Sequence, residues 1–302
     1  MGLWVSHLPK LRPPSQASAL SMRLLTFDGA SGSILSKTFY GDILPPYAIL
    51  SHTWGEDTDE FDFRDLIGGT GKDKPGYRKV LFCGERARID ELKYFWVDTC
   101  CIDKSNSVEL QEAINSMFCW YQDATRCYIY LEDVSSCRLD IDDENAPIQL
   151  QCEAHFRDSK WFTRGWTLQE LLAPHSVEFY SKEHIKLGNK RSLERQIHET
   201  TGIAIKALRG CPLSIFSIEE RFGWALSRQT TRPEDWAYSL LGIFDVFMPL
   251  IYGEGRDRAI LRLRVEVGKL QSSKNARCFF FLAEVAINQN TRIVRVRKTA
   301  IH

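Results

Sequence analysis

The chain has 302 residues, with 39 basic and 39 acidic side chains, so its formal net charge is zero. This balance gives no electrostatic basis for bulk binding of nucleic acid. The nine cysteines are odd in number and form no CxxC pair. They argue against a disulfide framework or a zinc site, and they favour reduced thiols in the cytoplasm. No apolar run reaches the length of a membrane span.

Residues 1–22 are predicted to form a disordered leader, because they contain Pro13-Pro14 and several serines with little hydrophobic periodicity. The first residues, MGLWVS, fit the template for N-myristoylation through Gly2 and Ser6. Met22 opens the stretch MRLLTFDG and is an alternative start of translation. The sequence leaves both the modification and the start open.

A two-stranded ribbon is predicted over residues 23–46, where RLLTFDG and SILSKTF are separated by Gly and Ser. Four buried strands then alternate with three helices. The strands are predicted at 47–51, 94–102, 125–134 and 176–181, and the helices at 77–93, 108–123 and from Thr167 onward. The first helix is predicted to bury Val80, Leu81, Ala87, Ile89 and Leu92. This alternation predicts a parallel sheet with helices on both faces, and therefore an α/β fold.

The second half of the chain has a different pattern. Residues 135–153 are polar and acidic and predict a loop or insertion. Residues 182–270 predict a mostly helical lobe, which includes a capping box formed by Ser217 and Glu220. Residues 271–302 predict an irregular tail. We therefore expect a leader (1–22), an α/β domain (23–181), a helical extension (182–270) and a tail.

Polar residues follow the first buried strand, at the edge where parallel α/β sheets bind ligands. They are Ser51, His52, Trp54 and Gly55. A plain turn would use Gly, Asn or Pro and would not need His or Trp. These residues are therefore candidates for ligand binding, with Trp54 predicted to face the ligand. The alternative for His52 is that it only pins its own loop.

Asp98 and Asp103 bracket Cys100-Cys101 at the end of the next strand. Their carboxylates could bind ribose hydroxyl groups or orient loop amides. The alternative is a helix cap or an Asx-turn, which are common roles for Asp after a strand. Cys101 could act as a nucleophile only with a histidine partner such as His52. The alternative for both cysteines is a pair of small buried thiols.

Trp166 and Glu170 lie at the start of a predicted helix, near the same edge of the sheet. The spacing of Thr167 and Glu170 fits a capping box, in which Glu170 would bond back to the amide of Thr167. The functional alternative is a carboxylate near a helix N-terminus, kept ionised by the helix dipole. Such a carboxylate could stabilise positive charge that develops on a sugar.

Three blocks of the sequence resemble the fungal HET (heterokaryon incompatibility) domain. They are YAILSHTWG, FWVDTCCIDKSNSVELQEAINSMFCWYQDATRCYIYLEDV and SKWFTRGWTLQELLAPHSVEFYS, which follow one another between residues 47 and 181. The stretch RPEDWAYSLLGIFDVFMPLIYGEG is similar to the usual sequel. The resemblance implies a module for self/non-self recognition that triggers cell death when unlike individuals fuse. It also implies an incompatibility partner protein or receptor.

The same segments are more distantly similar to TIR domains. SHTWGEDTDEFDFRDL resembles their first strand and loop, and SKWFTRGWTLQEL resembles their Ser-x-Trp-Cys-x-x-Glu-Leu block, with Thr167 in place of Cys. This resemblance implies a flavodoxin-like parallel sheet and cleavage of NAD, as a substrate rather than a cofactor, with Glu170 as the catalytic residue. The alternative is a non-catalytic signalling adaptor that acts as a homo-oligomer.

Overall fold

The structure is a computed structural model that describes residues 21–29, 32–41, 43–136 and 150–272. The myristoylation motif, most of the predicted leader, residues 137–149 of the acidic insertion and the tail from residue 273 lie outside the described residues. The strands of the described ranges are β1 (Ser21–Phe27), β2 (Ile34–Tyr40), β3 (Tyr47–His52), β4 (Tyr94–Trp96), β5 (Arg126–Tyr130), β6 (Val177–Tyr180) and β7 (Lys186–Asn189). They form one sheet in the order β2-β1-β4-β3-β5-β6-β7.

The predicted parallel centre of the sheet is confirmed. β3 pairs in parallel with β4 on one side and with β5 on the other, and β5 pairs in parallel with β6. All six residues of β3 are buried, as expected of a central strand that is covered on both faces. The carboxyl ends of these four strands therefore meet at one edge of the sheet.

Helices cover the faces of the sheet and are the main elements between β7 and residue 272. Pro75 opens the first long helix, and the side chain of Asn106 caps the next long one by accepting from the amides of Val108 and Glu109. The helices of the described ranges are α1 (Phe63–Gly68), α2 (Pro75–Ile89), α3 (Asp98–Cys101), α4 (Ser107–Asp123), α5 (Leu150–Arg157), α6 (Thr167–Leu172), α7 (Glu194–Thr201), α8 (Ile205–Leu208), α9 (Ile218–Gly223), α10 (Asp235–Tyr238), α11 (Leu241–Phe244) and α12 (256–272). The predicted capping box of Ser217 and Glu220 is present at the start of α9.

Two predictions of local structure were wrong in detail. The strand expected at 94–102 ends at Trp96, and α3 follows it directly. Because either conformation buries this short apolar run, hydrophobic pattern alone does not distinguish them. In α2, Ile89 is 61% exposed instead of buried. It lies two positions after the buried Ala87, and two positions of an α-helix separate opposite faces.

Antiparallel strands extend the parallel centre at both edges. β1 and β2 form the predicted ribbon, which joins the sheet where β1 pairs with β4. Ser21 and Met22, which the sequence places in the leader, belong to β1, and Met22 is buried. β7 pairs with β6 inside the region predicted to be a helical lobe. The sheet therefore extends beyond the predicted α/β domain at both ends.

The helical region after β7 shares one hydrophobic core with the sheet. A single cluster of buried residues contains Ile49 of β3, Ile197 of α7, Leu241 of α11 and Leu263 of α12. The two parts are therefore packed together through apolar side chains. Within the described ranges, none of the helices combines the length and the apolar character that crossing a membrane requires.

Candidate functional site

The candidate site lies at the carboxyl edge of the parallel strands. Ser51 and His52 are the last two residues of β3, and Asp98 opens α3 just after β4. Trp54 lies on the loop that follows β3, and Glu170 lies in α6. Side chains from distant parts of the sequence thus converge where parallel α/β sheets bind their ligands.

A buried chain of hydrogen bonds joins Trp161, Ser51 and Glu170. The hydroxyl group of Ser51 donates to Oε2 of Glu170 at 2.5 Å, and Nε1 of Trp161 donates to Oγ of Ser51 at 2.8 Å. Ser51 and Trp161 are fully buried, and Glu170 is only 5% exposed. The chain therefore holds the carboxyl group of Glu170 below the surface. Trp161 was missed at the sequence level, although a buried indole usually needs a hydrogen-bond partner.

Glu170 does not cap its own helix. Trp166 occupies the N-cap position of α6 and makes no side-chain capping bond. Thr167 lies one position too late to be the cap, and its hydroxyl group contacts the carbonyl oxygens of Trp161 and Arg164 at 2.6 and 2.9 Å. The capping-box alternative is therefore wrong, and the carboxyl group of Glu170 points to Ser51 instead.

The surroundings of Glu170 favour its neutral form. Burial has the largest effect and raises the pKa, and the negative charge of Asp98 raises it further. The hydrogen bond from Ser51 and the charge of Arg164 act in the opposite direction, and the resulting pKa is about 8. The expectation that the helix dipole keeps Glu170 ionised is wrong, because burial outweighs it. At neutral pH the carboxyl group is mostly protonated.

His52, Trp54 and Asp98 form a second cluster beside the first. Nε2 of His52 lies 3.2 Å from Oδ1 of Asp98, and Nε1 of Trp54 donates to Oδ2 of Asp98 at 2.9 Å. Nδ1 of His52 lies 3.2 Å from the carbonyl oxygen of Thr53. Burial would raise the pKa of Asp98, but the hydrogen bond and charge of His52 outweigh it and lower that pKa. An ionised Asp98 therefore orients both rings, and His52 also contacts its own loop.

A buried ion pair supports the loop after β3. Nζ of Lys79 donates to Oε1 of Glu60 at 2.9 Å and to the carbonyl oxygen of Thr53 at 3.0 Å. The amide of Gly55 donates to the same oxygen of Glu60 at 2.7 Å. The amide of this predicted binding residue is therefore used within the loop itself. Lys79 is 4% exposed and Glu60 is 6% exposed. This pair was not predicted, because charged residues on an amphipathic helix and a loop usually face solvent.

Two of the predicted binding residues are engaged away from Glu170. The carboxylate of Asp103 accepts from the amide and the hydroxyl group of Ser105, which is the Asx-turn alternative. Nε1 of Trp166 donates to Asp235 of α10 at 3.3 Å. In this structure Asp103 therefore stabilises a turn, and Trp166 connects α6 to the helical region.

Cys100 and Cys101 are free and buried, which matches the buried-thiol alternative. Sγ of Cys101 accepts from the amide of Val97 at 3.4 Å, and burial raises the pKa of Cys100. His52 is paired with Asp98 through its Nε2. The imidazole partner that a nucleophilic Cys101 would require is thus engaged elsewhere.

The helical region holds the segment that leads into α6. The amide of Gly165 donates to the carbonyl oxygen of Gln229 at 2.8 Å. In return, the amide of Gln229 donates to the carbonyl oxygen of Thr163 at 2.7 Å. A Cβ atom on Gly165 would lie 2.4 Å from the methyl group of Thr230. The close approach of these two segments therefore requires glycine at position 165.

Arg228 adds a side-chain connection to the same segment. Its Nη1 donates to the carbonyl oxygen of Arg164 and to the hydroxyl group of Thr167, both at 2.8 Å. Arg228 is 2% exposed, and its Nη2 has no hydrogen-bond partner among the described residues. The region after β7 thus fixes the start of the helix that carries Glu170. The sequence did not indicate this role, because Arg228 is a single arginine in a stretch that was predicted to be helical.

The chemistry available at this edge is that of two carboxyl groups with different protonation states. Asp98 is ionised and Glu170 is mostly neutral at pH 7, and an imidazole and an indole lie beside them. Such separated pairs are typical of sites that perform acid–base or glycosyl-transfer chemistry. In the described part of the chain, no group of three or more His, Cys, Asp or Glu side chains is placed to hold a metal ion.

Comparison with known proteins identifies the family of this α/β domain. The family model described as "Heterokaryon incompatibility protein (HET)" matches residues 47–149, which contain β3, β4 and β5. The protein "Vegetative incompatibility protein HET-E-1" of Podospora anserina is 56% identical over 248 residues, which is 82% of this chain. The chain belongs to the HET-domain proteins. It spans 18% of the length of that relative.

The HET match covers one of the two side-chain clusters more fully than the other. Ser51, His52, Trp54 and Asp98 lie inside the matched range, whereas Glu170 lies beyond its end at residue 149. The family resemblance in the sequence extended to residue 181. No solved structure matches the chain, so the similarity to TIR domains rests on the sequence blocks alone.

Proposed function

We propose that this HET domain acts in heterokaryon incompatibility and triggers cell death by cleaving NAD at the bond between nicotinamide and ribose. One observation carries the proposal. The carboxyl group of Glu170 bonds to Ser51 at the carboxyl edge of the parallel sheet instead of capping its own helix, and it lies close enough to Asp98 for that charge to raise its pKa. The similarity to a vegetative incompatibility protein supports the biological role.

Cleavage would break the bond between C1′ of the ribose and the nicotinamide nitrogen, which leaves with the electron pair. The ribosyl group then carries positive charge, and water attacks C1′ and releases a proton. An ionised Glu170 would stabilise this charge and hold the ribose hydroxyl groups, as a carboxylate does in glycosidases. A nearby cationic nicotinamide would favour the ionised form of Glu170, because an opposite charge lowers the pKa of a carboxyl group.

The burial of Glu170 sets a condition on this mechanism. At 5% exposure, the carboxyl group reaches a substrate only after the rim around it has opened. Self-association, or the binding of an incompatibility partner protein or receptor, would provide such a trigger, since a ligand that prefers the open state shifts the population towards it. The proposed enzyme is therefore closed at rest.

A second candidate is a signalling adaptor that recruits partners without catalysis. The observation that favours it is the hydrogen bond from the buried Ser51 to Glu170, which satisfies the carboxyl group inside the protein. A purely structural glutamate would have this same environment. In that case cell death would follow from self-association through surface helices, and NAD would not be consumed.

Release of nicotinamide from NAD by the purified chain, measured across a range of protein concentrations, tests the proposal. Glu170→Gln keeps the shape of the side chain but removes its charge, and we expect activity to fall by roughly a hundredfold or more. Glu178→Gln in β6 is the matched control, since Glu178 pairs with Lys186, and it should retain the parent activity.

The same variants separate the two candidates when they are overexpressed in fungal cells. If the enzyme proposal is correct, Glu170→Gln abolishes killing and the parent protein depletes NAD in the dying cells. A stable Glu170→Gln protein that still cleaves NAD at the parent rate would contradict the role of Glu170. Killing by the parent without loss of NAD would support the adaptor.

A further inference from the structure

Two cationic side chains approach the ring of Trp54 at the rim of the candidate site. Nζ of Lys104 lies 3.6 Å from the ring centroid, and the guanidinium carbon of Arg164 lies 5.8 Å from it. The indole is fixed in place, because its Nε1 donates to Asp98. Among the cation–ring pairs of the described residues, Trp54 is the ring that carries two cations.

Neither cation is neutralised by a partner in the described part of the chain. The salt bridges there do not include Lys104 or Arg164, and their side chains make no hydrogen bond. The acidic side chains of Asp98, Glu60 and Asp57 act on Lys104 only through their electrostatic field. Asp98 is already occupied by His52 and Trp54. Two cations that approach one ring and lack an ion-pair partner favour the binding of an anion at this rim.

Three separate loops bring these residues together. Trp54 follows β3, Lys104 lies between α3 and α4, and Arg164 precedes α6. Lys104 is exposed overall and Arg164 is partly exposed, while burial around the ammonium group lowers the pKa of Lys104. Arg164 is also close enough to Glu170 to act on its pKa, and Lys104 acts likewise on Asp98. Arg164 therefore lies near the proposed catalytic carboxyl group, and Lys104 lies near the second carboxyl group of the site.

We propose that Lys104 and Arg164, arranged around Trp54, bind the diphosphate group of a nucleotide substrate. This inference rests on the proposed function, which it deepens by naming the group that anchors the substrate. A diphosphate carries negative charge on adjacent phosphates, which suits one point-like ammonium and one planar guanidinium. Anchoring there would leave the ribose beyond the diphosphate to reach Glu170 once the rim opens.

Calorimetric titration with ADP-ribose tests this subsite without requiring catalysis. The full chain is titrated as the parent and as Lys104→Gln and Arg164→Gln. We expect each substitution to weaken binding by about tenfold or more, because a charged hydrogen bond contributes that much. Nicotinamide riboside, which has no phosphate, should bind more weakly than ADP-ribose and should not respond to the substitutions. Inorganic pyrophosphate should compete with ADP-ribose.

The chain offers matched controls for both substitutions. Lys93 is stacked on Tyr94 at the amino end of β4, and Arg256 is stacked on Trp236 in the helical region. Lys93→Gln and Arg256→Gln remove the same interaction far from the rim and should leave the affinity for ADP-ribose unchanged. Thermal melts of all four variants check folding. If Arg164→Gln is unfolded, the exposed Lys104 still provides the test.

The outcomes separate this inference from the proposed function. The subsite is overturned if the parent protein fails to bind ADP-ribose. It is also overturned if both rim variants bind ADP-ribose as tightly as the parent. If that happens while Glu170-dependent cleavage of NAD is observed, the proposed function stands without it. Conversely, binding that depends on Lys104 and Arg164 without cleavage of NAD would support the subsite and count against the enzyme.

Discussion

The hydroxyl group of Ser51 donates a hydrogen bond to the carboxyl group of Glu170 at 2.5 Å, although 119 positions separate the two residues in the chain. This bond joins the carboxyl end of β3 to α6, and both residues are buried. Inside a protein such a bond is strengthened by the low local polarity, and a missing partner becomes correspondingly costly. The pair therefore contributes to stability, and the hydrogen bond lowers the pKa of Glu170 against the larger opposing effect of burial.

Ser51→Ala should destabilise the protein by roughly 1–3 kcal/mol, because it leaves the Nε1–H of Trp161 and the carboxyl group of Glu170 buried without this partner. The measurement is unfolding in urea, followed by fluorescence. Ser105→Ala serves as the control, since Ser105 is exposed and its hydroxyl group donates to Asp103, and its effect should stay within about 0.5 kcal/mol. Equal stability of the two variants would show that the buried hydrogen bonds of Ser51 contribute little to the free energy of unfolding.

The pKa of Glu170 predicts how stability depends on pH. In the folded state this pKa is about 8, above the ordinary value of 4.5, so folding strengthens the binding of a proton. The stability that this proton contributes is fully present below pH 4.5 and is lost as the pH rises to about 8. Glu170→Gln removes this dependence. As the pH rises from 5.5 to 7.5, the free energy of unfolding of Glu170→Gln should fall less steeply than that of the parent. The two slopes should differ by up to roughly 1.4 kcal/mol per pH unit.

Glu178→Gln is the matched control for the pH experiment. Burial would raise the pKa of Glu178, but hydrogen bonds from Lys186 and Tyr180 outweigh it, so the pKa is lowered. The stability that Glu178 contributes is therefore lost only as the pH falls below its ordinary value, outside the range of the comparison. Parallel curves for the parent and Glu170→Gln between pH 5.5 and 7.5 would show that Glu170 is ionised in the folded protein.

The sequence predicted the parallel centre of the sheet because each strand carries its own local signal. YAILS and RCYIY are short, apolar and rich in β-branched or aromatic residues, and helical patterns separate them. The positions of Ser51 and His52 at the end of β3 followed directly from this pattern. The end of β4 did not, because residues that are buried in a strand are equally buried in the short α3.

The remaining members of the site depend on tertiary contacts that leave no local pattern. Trp161 and Arg228 reach Ser51 and Thr167 across 110 and 61 positions, and neither has a distinctive neighbour in sequence. The capping box at Thr167 failed for a related reason. Its residue types were correct, but Thr167 is held by the carbonyl oxygens of Trp161 and Arg164, so the helix begins one position earlier than the box requires.

The buried ion pair of Lys79 and Glu60 supports the loop that carries Trp54, and its loss should destabilise that loop. Lys79→Met leaves Glu60 buried without its cation, while Oε2 of Glu60 already has no hydrogen-bond partner among the described residues. We expect a loss of roughly 3 kcal/mol in urea unfolding. The double variant Lys79→Met with Glu60→Gln should recover part of it, because the uncompensated charge is gone. A double variant no more stable than Lys79→Met would refute this explanation.

The contact between α11 and α4 predicts the effect of adding one methyl group. A Cβ atom on Gly242 would lie 2.1 Å from Cβ of Phe118. Since Cβ of Phe118 is fixed by the backbone of α4, no rotation of the ring relieves this overlap, and the two helices would have to separate. Gly242→Ala should therefore cost roughly 1–3 kcal/mol of stability, as expected for overpacking.

Gly223 at the end of α9 provides the comparison, because a Cβ atom there meets nothing within 4 Å. Gly223→Ala should leave stability unchanged or raise it by roughly 0.5 kcal/mol, since alanine favours the helix. Thermal unfolding followed by circular dichroism measures both variants. If Gly242→Ala melted at the same temperature as the parent, the packing of α11 would have to be looser than the structure shows. With a lower melting temperature, the same variant would also report whether the helical region and the sheet unfold together, because they share one core.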